Sequence, residues 1–366
     1  EGLSTNASGL ASHVEGYATY TNGAYAHAEG NGTTANGSAS HSEGTNTTAS
    51  ANYAHAEGHT TTASGSASHA EGQSSVAVGT VSHAEGYMCV ASGHYSHAEG
   101  HTTWAKGDYS HSQGFQTSAL AEYAHAEGFK TWATEYSHAE GSECYAHGSA
   151  AHAEGTSTYA VLGGHAEGDG TWALGPGSHA EGSVTRAVNA SHAEGLGTSA
   201  MDIYSHAEGM FTYAFNEAAH AEGYGTRAIG NYSHAQGADT LASGQAAHSY
   251  GTGASATGNY SYANGWYCTA ASTNSFAVGS WSVANHNWSY IWSADTTTAV
   301  ATTSANQYKV HAPGSVDLGP TVVLTLANSA SCLDVRNAVL ASSASNTGLY
   351  LSLTINGSAL LLPLYK

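Results

Sequence analysis

Ser82-His83-Ala84-Glu85-Gly86 returns fourteen residues later as Ser96-His97-Ala98-Glu99-Gly100, and that return decides the fold. Working outward, the same five-residue unit is found along most of the 366-residue chain. Upstream, the pairs in register are His13/Glu15, His27/Glu29, His41/Glu43, His55/Glu57 and His69/Glu71, leading into His83/Glu85 and His97/Glu99. Downstream they include His125/Glu127, His152/Glu154 and His206/Glu208, and Gln113 and Gln236 replace Glu in two coils. The step between histidines is 14 residues except at 125 to 138, 152 to 165 and 179 to 192, where it is 13. A fixed period of this size is the mark of stacked structural repeats.

Columns through the repeat give its cross-section. Small residues stand one before the His (Ser or Ala), one after (Ala), six after (Thr33, Thr61, Thr131) and eight after (Ala35, Ala63, Ala133). Side chains alternate faces along a strand, so these four columns point one way from two successive strands. Two strands then face each other across a narrow dry interior. Gly falls three and ten positions after most histidines, where the chain turns. The three short coils all lose their residue at one corner, between the second strand and the next His.

That leaves two outer faces. One carries His and Glu and is nearly uniform. The other carries the columns seven and nine after the His, and it varies: Thr34, Val76, Trp104, Trp132, Tyr145, Tyr159, Trp172, Arg186. A uniform face is expected to meet a fixed partner, whereas a solvated stripe has no reason to keep one residue pair for so many layers. Ser, His and Glu cannot converge as a catalytic triad, because successive residues alternate faces. The H-x-E of each unit lacks the P-C-x-x-C of zinc deaminases. No catalytic residue and no cofactor is assigned. A carboxylate already offers each His a partner, so no metal is assigned either.

Composition narrows the functional classes. Charged residues make up 9% of the chain and the formal net charge is −20, which excludes a phosphate-tracking nucleic-acid binder. No apolar run is long enough for a membrane-spanning helix. Cys89, Cys144 and Cys268 all occupy the Thr column, four and nine coils apart, too distant for an intrachain disulfide. Cys332 stands outside the repeats. Glu1-Gly2 reads as the tail of an earlier H-A-E-G, so further repeats are expected upstream.

Ser75-Val76-Ala77-Val78-Gly79 and Ser275-Phe276-Ala277-Val278-Gly279 resemble the S-V-A-I-G strand of trimeric autotransporter (YadA-like) adhesin heads. The H-A-E-G form resembles repeats of bacteriophage tail fibres. The resemblance covers residues 1 to about 286. It implies an all-β, left-handed parallel β-roll (solenoid) of about 20 fourteen-residue coils, three chains around one axis. The His/Glu pairs named above would then form a trimer-axis seam, a polar pair standing where the adhesin strand carries larger apolar residues. Hydrogen bonds from His to the Glu of a neighbouring chain would satisfy both groups on burial.

Residues 287–366 are expected to form a small C-terminal β domain. Trp288, Tyr290 and Trp292 would cap the last coil, residues 293–307 read as loop, and Val322 to Leu326 reads as a buried strand. Leu349 to Ile355, Asn356-Gly357 and Ser358 to Leu364 carry a strong hairpin signal. The stretch from Tyr290 to Val316 resembles the segment that follows such repeats in tail fibres, and no heptads or amphipathic anchor strands follow it. The expectation is an extracellular or virion-borne homotrimeric fibre, a phage tail fibre before a bacterial adhesin, that contacts a glycan or protein receptor on a cell surface. Trp104, Trp132, Tyr145, Tyr159 and Trp172 offer apolar rings with polar rims for glycan contact. An ice-binding solenoid is the minor alternative, suggested by Thr33-Thr34, Thr47-Thr48 and Thr61-Thr62. Trp, Tyr and Arg interrupt its flatness.

Overall fold

In-register repetition makes one demand: every coil must hydrogen-bond to the next through the same atoms. The computed structural model, which describes residues 2–312, 350–355 and 358–363, meets it with two parallel sheets and, among those residues, no helix. The first sheet takes a five-residue strand from each coil, such as His69–Gln73 and His83–Tyr87. The second takes a two-residue strand, such as Val76–Ala77 and Val90–Ala91. Pairing is parallel and in register, His69 with His83, Ala70 with Ala84, Glu71 with Glu85 and Gly72 with Gly86. Val76 and Ala77 face Val90 and Ala91 in the same way. The His83 amide donates to Ser96 at 2.9 Å and the Val90 amide to Thr103 at 2.8 Å, so each coil is donor to its successor.

The four small columns line the interior, as their alternation requires. Around His69, Ser68, Ala70, Ser75 and Ala77 are all buried. Thr is the largest side chain fully buried in the repeats, and among the described residues larger buried side chains stand at Val14 and, near the end of the solenoid, Ile291. Interior hydroxyls are served locally where a partner exists. Ser82 Oγ donates to the Gly79 carbonyl at 2.7 Å and so closes the corner before His83. Where Ser replaces Ala one after the His, it meets the Thr across the interior: Ser42 with Thr47 at 2.8 Å and Ser112 with Thr117 at 2.7 Å. Ser249 faces Ala254 instead, and its hydroxyl has no partner among the described residues. Cys89, Cys144 and Cys268 are free and buried, and Cys89 Sγ lies 3.2 Å from the Gly100 carbonyl of the next coil.

The 13-residue coils keep strand register. His125 pairs with His138 and Trp132 with Tyr145, so the missing residue falls at the corner between the second strand and the next His. The glycine three after each His is fixed by backbone geometry and by stacking. Gly72 has φ +96°, and a Cβ there would overlap the Gly86 carbonyl of the following coil.

Corners held the main surprise. Residues five and twelve after the His also take left-handed conformations, and most are not glycine: Thr60, Met88 and Lys130 at the first, Tyr53, Val81 and Tyr123 at the second. Their side chains project outward and stack with the next coil, Tyr95 on Tyr109 and Tyr109 on Tyr123, with ring centroids 5.1 Å apart.

Coiling runs past residue 286, where the S-H-A-E-G pattern lapses. Tyr290–Ser293 pairs in parallel with the strand beginning at Phe276, and Tyr308–His311 pairs with Tyr290–Ser293. Val300–Ala301, inside the stretch read as loop, extends the second sheet. The first sheet therefore has 23 strands, which at about 4.8 Å per step makes a solenoid column about 105 Å long. Chain contacts divide at Ala312 into two units. In the second, Tyr350–Ile355 and Ser358–Pro363 pair antiparallel with Ile355 opposite Ser358, the hairpin expected from the sequence. The strand expected at Val322 to Leu326 and Cys332 fall within residues 313–349, outside the described residues.

Candidate functional site: an imidazole ladder and an aromatic face

Register pairing brings the sequence-singled histidines into one ladder. The rings of His27, His41, His55, His69 and His83 stack with centroids 4.6 to 4.9 Å apart and planes within 9° of parallel. The Glu column runs beside them on the same outward face. His69 is 34% exposed and Glu71 42% exposed at the side chain, so in a single chain the face is half-buried by its own stacking. Ser82, by contrast, points inward while His83 and Glu85 point out, so no Ser-His-Glu constellation forms.

The seam reading buries these carboxylates against a neighbouring chain, and in the single chain they stand on its outer face. Glu15, Glu29, Glu43 and Glu208 are exposed, while Glu127 and Glu154 are half-buried. Each already lies beside the imidazole of its own coil. Glu15 is 3.7 Å from His13, and Glu29 and Glu43 are each 3.9 Å from His27 and His41. Glu127, Glu154 and Glu208 stand at 3.3 to 3.4 Å from His125, His152 and His206. The cause is strand alternation: residues two apart share a face, so the pair meets within one chain. The carboxylates also lack the ring-on-ring contacts that cover the imidazoles, which leaves them the more open of the two columns.

The ladder has two chemically distinct stretches. From His125 to His206, each Nε2 lies 3.3 to 3.4 Å from the Glu Oε2 two residues on, within hydrogen-bond reach. From His27 to His83 the same separation is 3.7 to 3.9 Å. There, and at His97 and His111, the Nε2 atoms are buried without a hydrogen-bond partner, as they are again at His220 and His234. Gln113 marks the boundary: its amide donates to Glu99 Oε2 at 3.2 Å, relieving one carboxylate in a column of like charges. Gln236 does the same to Glu222 at 3.1 Å.

Burial is the first cause that lowers the pKa of His27, His69, His97, His111 and His220, and the charge on neighbouring imidazoles is the second. His234 is lowered furthest, to about 4. Burial leads again, then His220 and His248, and its own coil carries Gln236 where a carboxylate would oppose the shift.

On the opposite outer face, all five aromatics named for glycan contact line two open grooves. One, of about 390 Å³, is lined by Trp104, Ser118, Trp132 and Tyr145 with Gln116 and Lys130. Ser118 is the small residue between the two tryptophans, because Trp104, Ser118 and Trp132 are register neighbours in successive coils. The other, of about 660 Å³, is lined by Tyr145, Tyr159 and Trp172 with Gly170, Leu174 and Val184.

Sequence reasoning missed the borders of the His/Glu face. Two before the His stand Tyr25, Tyr53, Tyr95, Tyr109, Tyr123 and Tyr136, all exposed. Four after it, Tyr87, His101, Phe115 and Phe129 stack at 4.7 to 5.4 Å. Both columns carry recurring aromatics in the sequence, but with small and polar residues between them they lack the near-uniformity of the His/Glu pair.

Fold and site together define a parallel β-solenoid of fourteen-residue coils with one polar ladder and one aromatic face. No protein-family model and no curated protein sequence matches the chain. Among the described residues no helix is long and apolar enough to cross a membrane.

Proposed function

We propose that the chain is the shaft of an extracellular structural fibre in which three copies pack with their His/Glu faces toward a common axis. The observation that carries this is the flanking of that face by stacked, exposed aromatics: Tyr95, Tyr109 and Tyr123 on one border, Phe115 and Phe129 on the other. Large exposed apolar patches mark interaction sites, and here stacked rings border the His/Glu face on both sides over the coils from Tyr87 to Tyr136. An interior of Ala, Ser and Thr leaves these rings no place inside one chain. On this reading the open carboxylates, Glu15 through Glu208, are the part of the face that a second chain would cover.

The H-A-E-G resemblance favours a tail-fibre shaft over an adhesin head. Attachment to a cell-surface glycan belongs, on this reading, to the grooves at Trp104, Trp132 and Trp172, whose rings would stack on sugar faces. Sedimentation equilibrium of the intact chain tests the assembly, with a threefold mass expected at micromolar concentration. A monomer there, with the tyrosines two before each His freely accessible to solvent quenchers, overturns it. Binding to an array of bacterial surface glycans that is lost in Trp132→Ala tests the attachment site.

A further inference from the structure

The unpartnered stretch of the ladder holds three groups that bring two imidazoles and a carboxylate together: His55, Glu57 and His69; His69, Glu71 and His83; His83, Glu85 and His97. In each, the ligand atoms all lie within 4.8 Å of one another. We propose that this stretch binds a divalent transition-metal ion of the Zn²⁺ class within a single chain, at two sites, His55/Glu57/His69 and His83/Glu85/His97.

Three features point there. The donor set, two neutral imidazoles and one carboxylate, suits zinc and its neighbours in the first transition row. The Nε2 atoms of His55, His69, His83 and His97 are buried with no hydrogen-bond partner, which leaves their lone pairs available. In the His125–His206 stretch the same atom is engaged by Glu, and none of the three groups falls there. A tetrahedral ion with ligands at about 2.0–2.1 Å needs donors closer than the ladder holds them. Binding therefore pulls paired rings toward each other and out of parallel stacking, with water completing the shell.

The stoichiometry follows from lone pairs. A neutral imidazole offers one acceptor nitrogen, so His69 and His83 can each serve one ion. The middle group, His69/Glu71/His83, competes with both outer groups and is filled only at their expense. Two ions on the outer pair outnumber one on the middle group, so excess metal selects the outer arrangement.

Zn²⁺ titration of the full chain by calorimetry, with bound metal measured after gel filtration, tests this through a set of substitutions on the half-exposed face. The wild type is expected to retain two ions per chain. Glu71→Gln, which touches only the middle group, should retain two. Glu57→Gln with Glu85→Gln removes both outer carboxylates and should fall to one, held by the middle group. His69→Ala with His83→Ala should fall to none, whereas His179→Ala with His192→Ala should keep two. Far-ultraviolet circular dichroism on each variant separates lost sites from lost fold, and the two Glu→Gln variants keep side-chain shape. Retention of no ion by the wild type overturns the proposal. So does retention that scales with all the histidines, or equal losses from the two His→Ala pairs. The sites lie within one chain, so their failure leaves the trimer reading standing, and a monomeric chain leaves the sites standing.

Discussion

The two outer faces of this solenoid are built on the same backbone period and differ in what the period is used for. On the first sheet the ladder keeps one pair of side chains coil after coil, and the rings stack at the inter-strand spacing. On the second, Trp104, Ser118 and Trp132 succeed one another in register, and the alternation of large and small opens grooves. Repetition of identical side chains makes a continuous surface suited to an equally regular partner. Variation on a regular frame makes local hollows suited to small ligands. Beneath both faces the interior admits almost no variation at all, and the largest expected effects lie there.

Gly72→Ala should be the most damaging single substitution of this type. It places a side chain at φ +96° and drives its Cβ into the Gly86 carbonyl. Left-handed strain of about 1–3 kcal/mol adds to overpacking of about the same size. Thermal melting should show a loss on the order of 3 kcal/mol or more per chain, and a shift of only a degree or two would mean that coils slide apart easily.

Ala63→Leu or Ala91→Leu should follow, at about 1–3 kcal/mol each, because both alanines are fully buried opposite another small column. Trp104→Ser, on the outer face where Trp104 is 40% exposed, should leave the melting temperature nearly unchanged. Equal shifts from the two classes would erase the distinction between interior and surface on which the contrast of faces rests.

Next comes pH. His234 has its folded pKa lowered to about 4 from 6.5. The unfolded chain thus binds the proton more readily between those values, and stability falls as pH drops from about 6.5 toward 4. The groups facing His234 are His220, His248, Glu222 and the Tyr250 hydroxyl, which lies 3.5 Å from its Nδ1. Gln236→Glu would restore the carboxylate that its coil lacks and should raise the His234 pKa, narrowing the window. Proton NMR titration of the His234 ring in both proteins checks this. An unmoved pKa in Gln236→Glu would show that burial and the stacked imidazoles, not the missing charge, set the value alone.

How much of this was legible beforehand depends on whether a residue's role repeats. The interior columns, the parallel register, the corner deletion after Ala133 and the Asn356-Gly357 hairpin were readable, because each follows from spacing and alternation. The ladder's members were readable too, but its division at Gln113 was not. That division rests on a Glu–His separation of a few tenths of an ångström, which no pattern encodes. The coils beyond residue 286 escaped because Tyr290 and Tyr308 keep the strand position while the H-A-E-G residues are all replaced, and the last step lengthens to 18 residues. Aromatic residues there looked like a cap, whereas Ile291 enters the interior in the place Ala holds elsewhere.

The smallest effect concerns the corners, which glycine positions failed to disclose. Turns were expected at the two glycine columns, yet left-handed residues also stand at Ala67, φ 53°, and Tyr123, φ 55°. A non-glycine residue in this region costs about 1 kcal/mol or somewhat more, so a compensating interaction is expected wherever the side chain is large. Tyr123 has one, stacked between Tyr109 and Tyr136 at 5.1 and 5.2 Å, and Ala67 has no ring to stack. Ala67→Gly should therefore stabilise the coil slightly, by a few tenths of a kcal/mol up to about 1, since the relief of strain exceeds the extra chain entropy glycine brings to the unfolded state. Tyr123→Gly should do the opposite, because losing two ring contacts worth about 0.5–1.5 kcal/mol each outweighs the same relief. Chemical denaturation of the two variants reads the difference directly. If both move stability the same way, ring stacking does not hold the corners, and the tyrosine column is there for a partner chain alone.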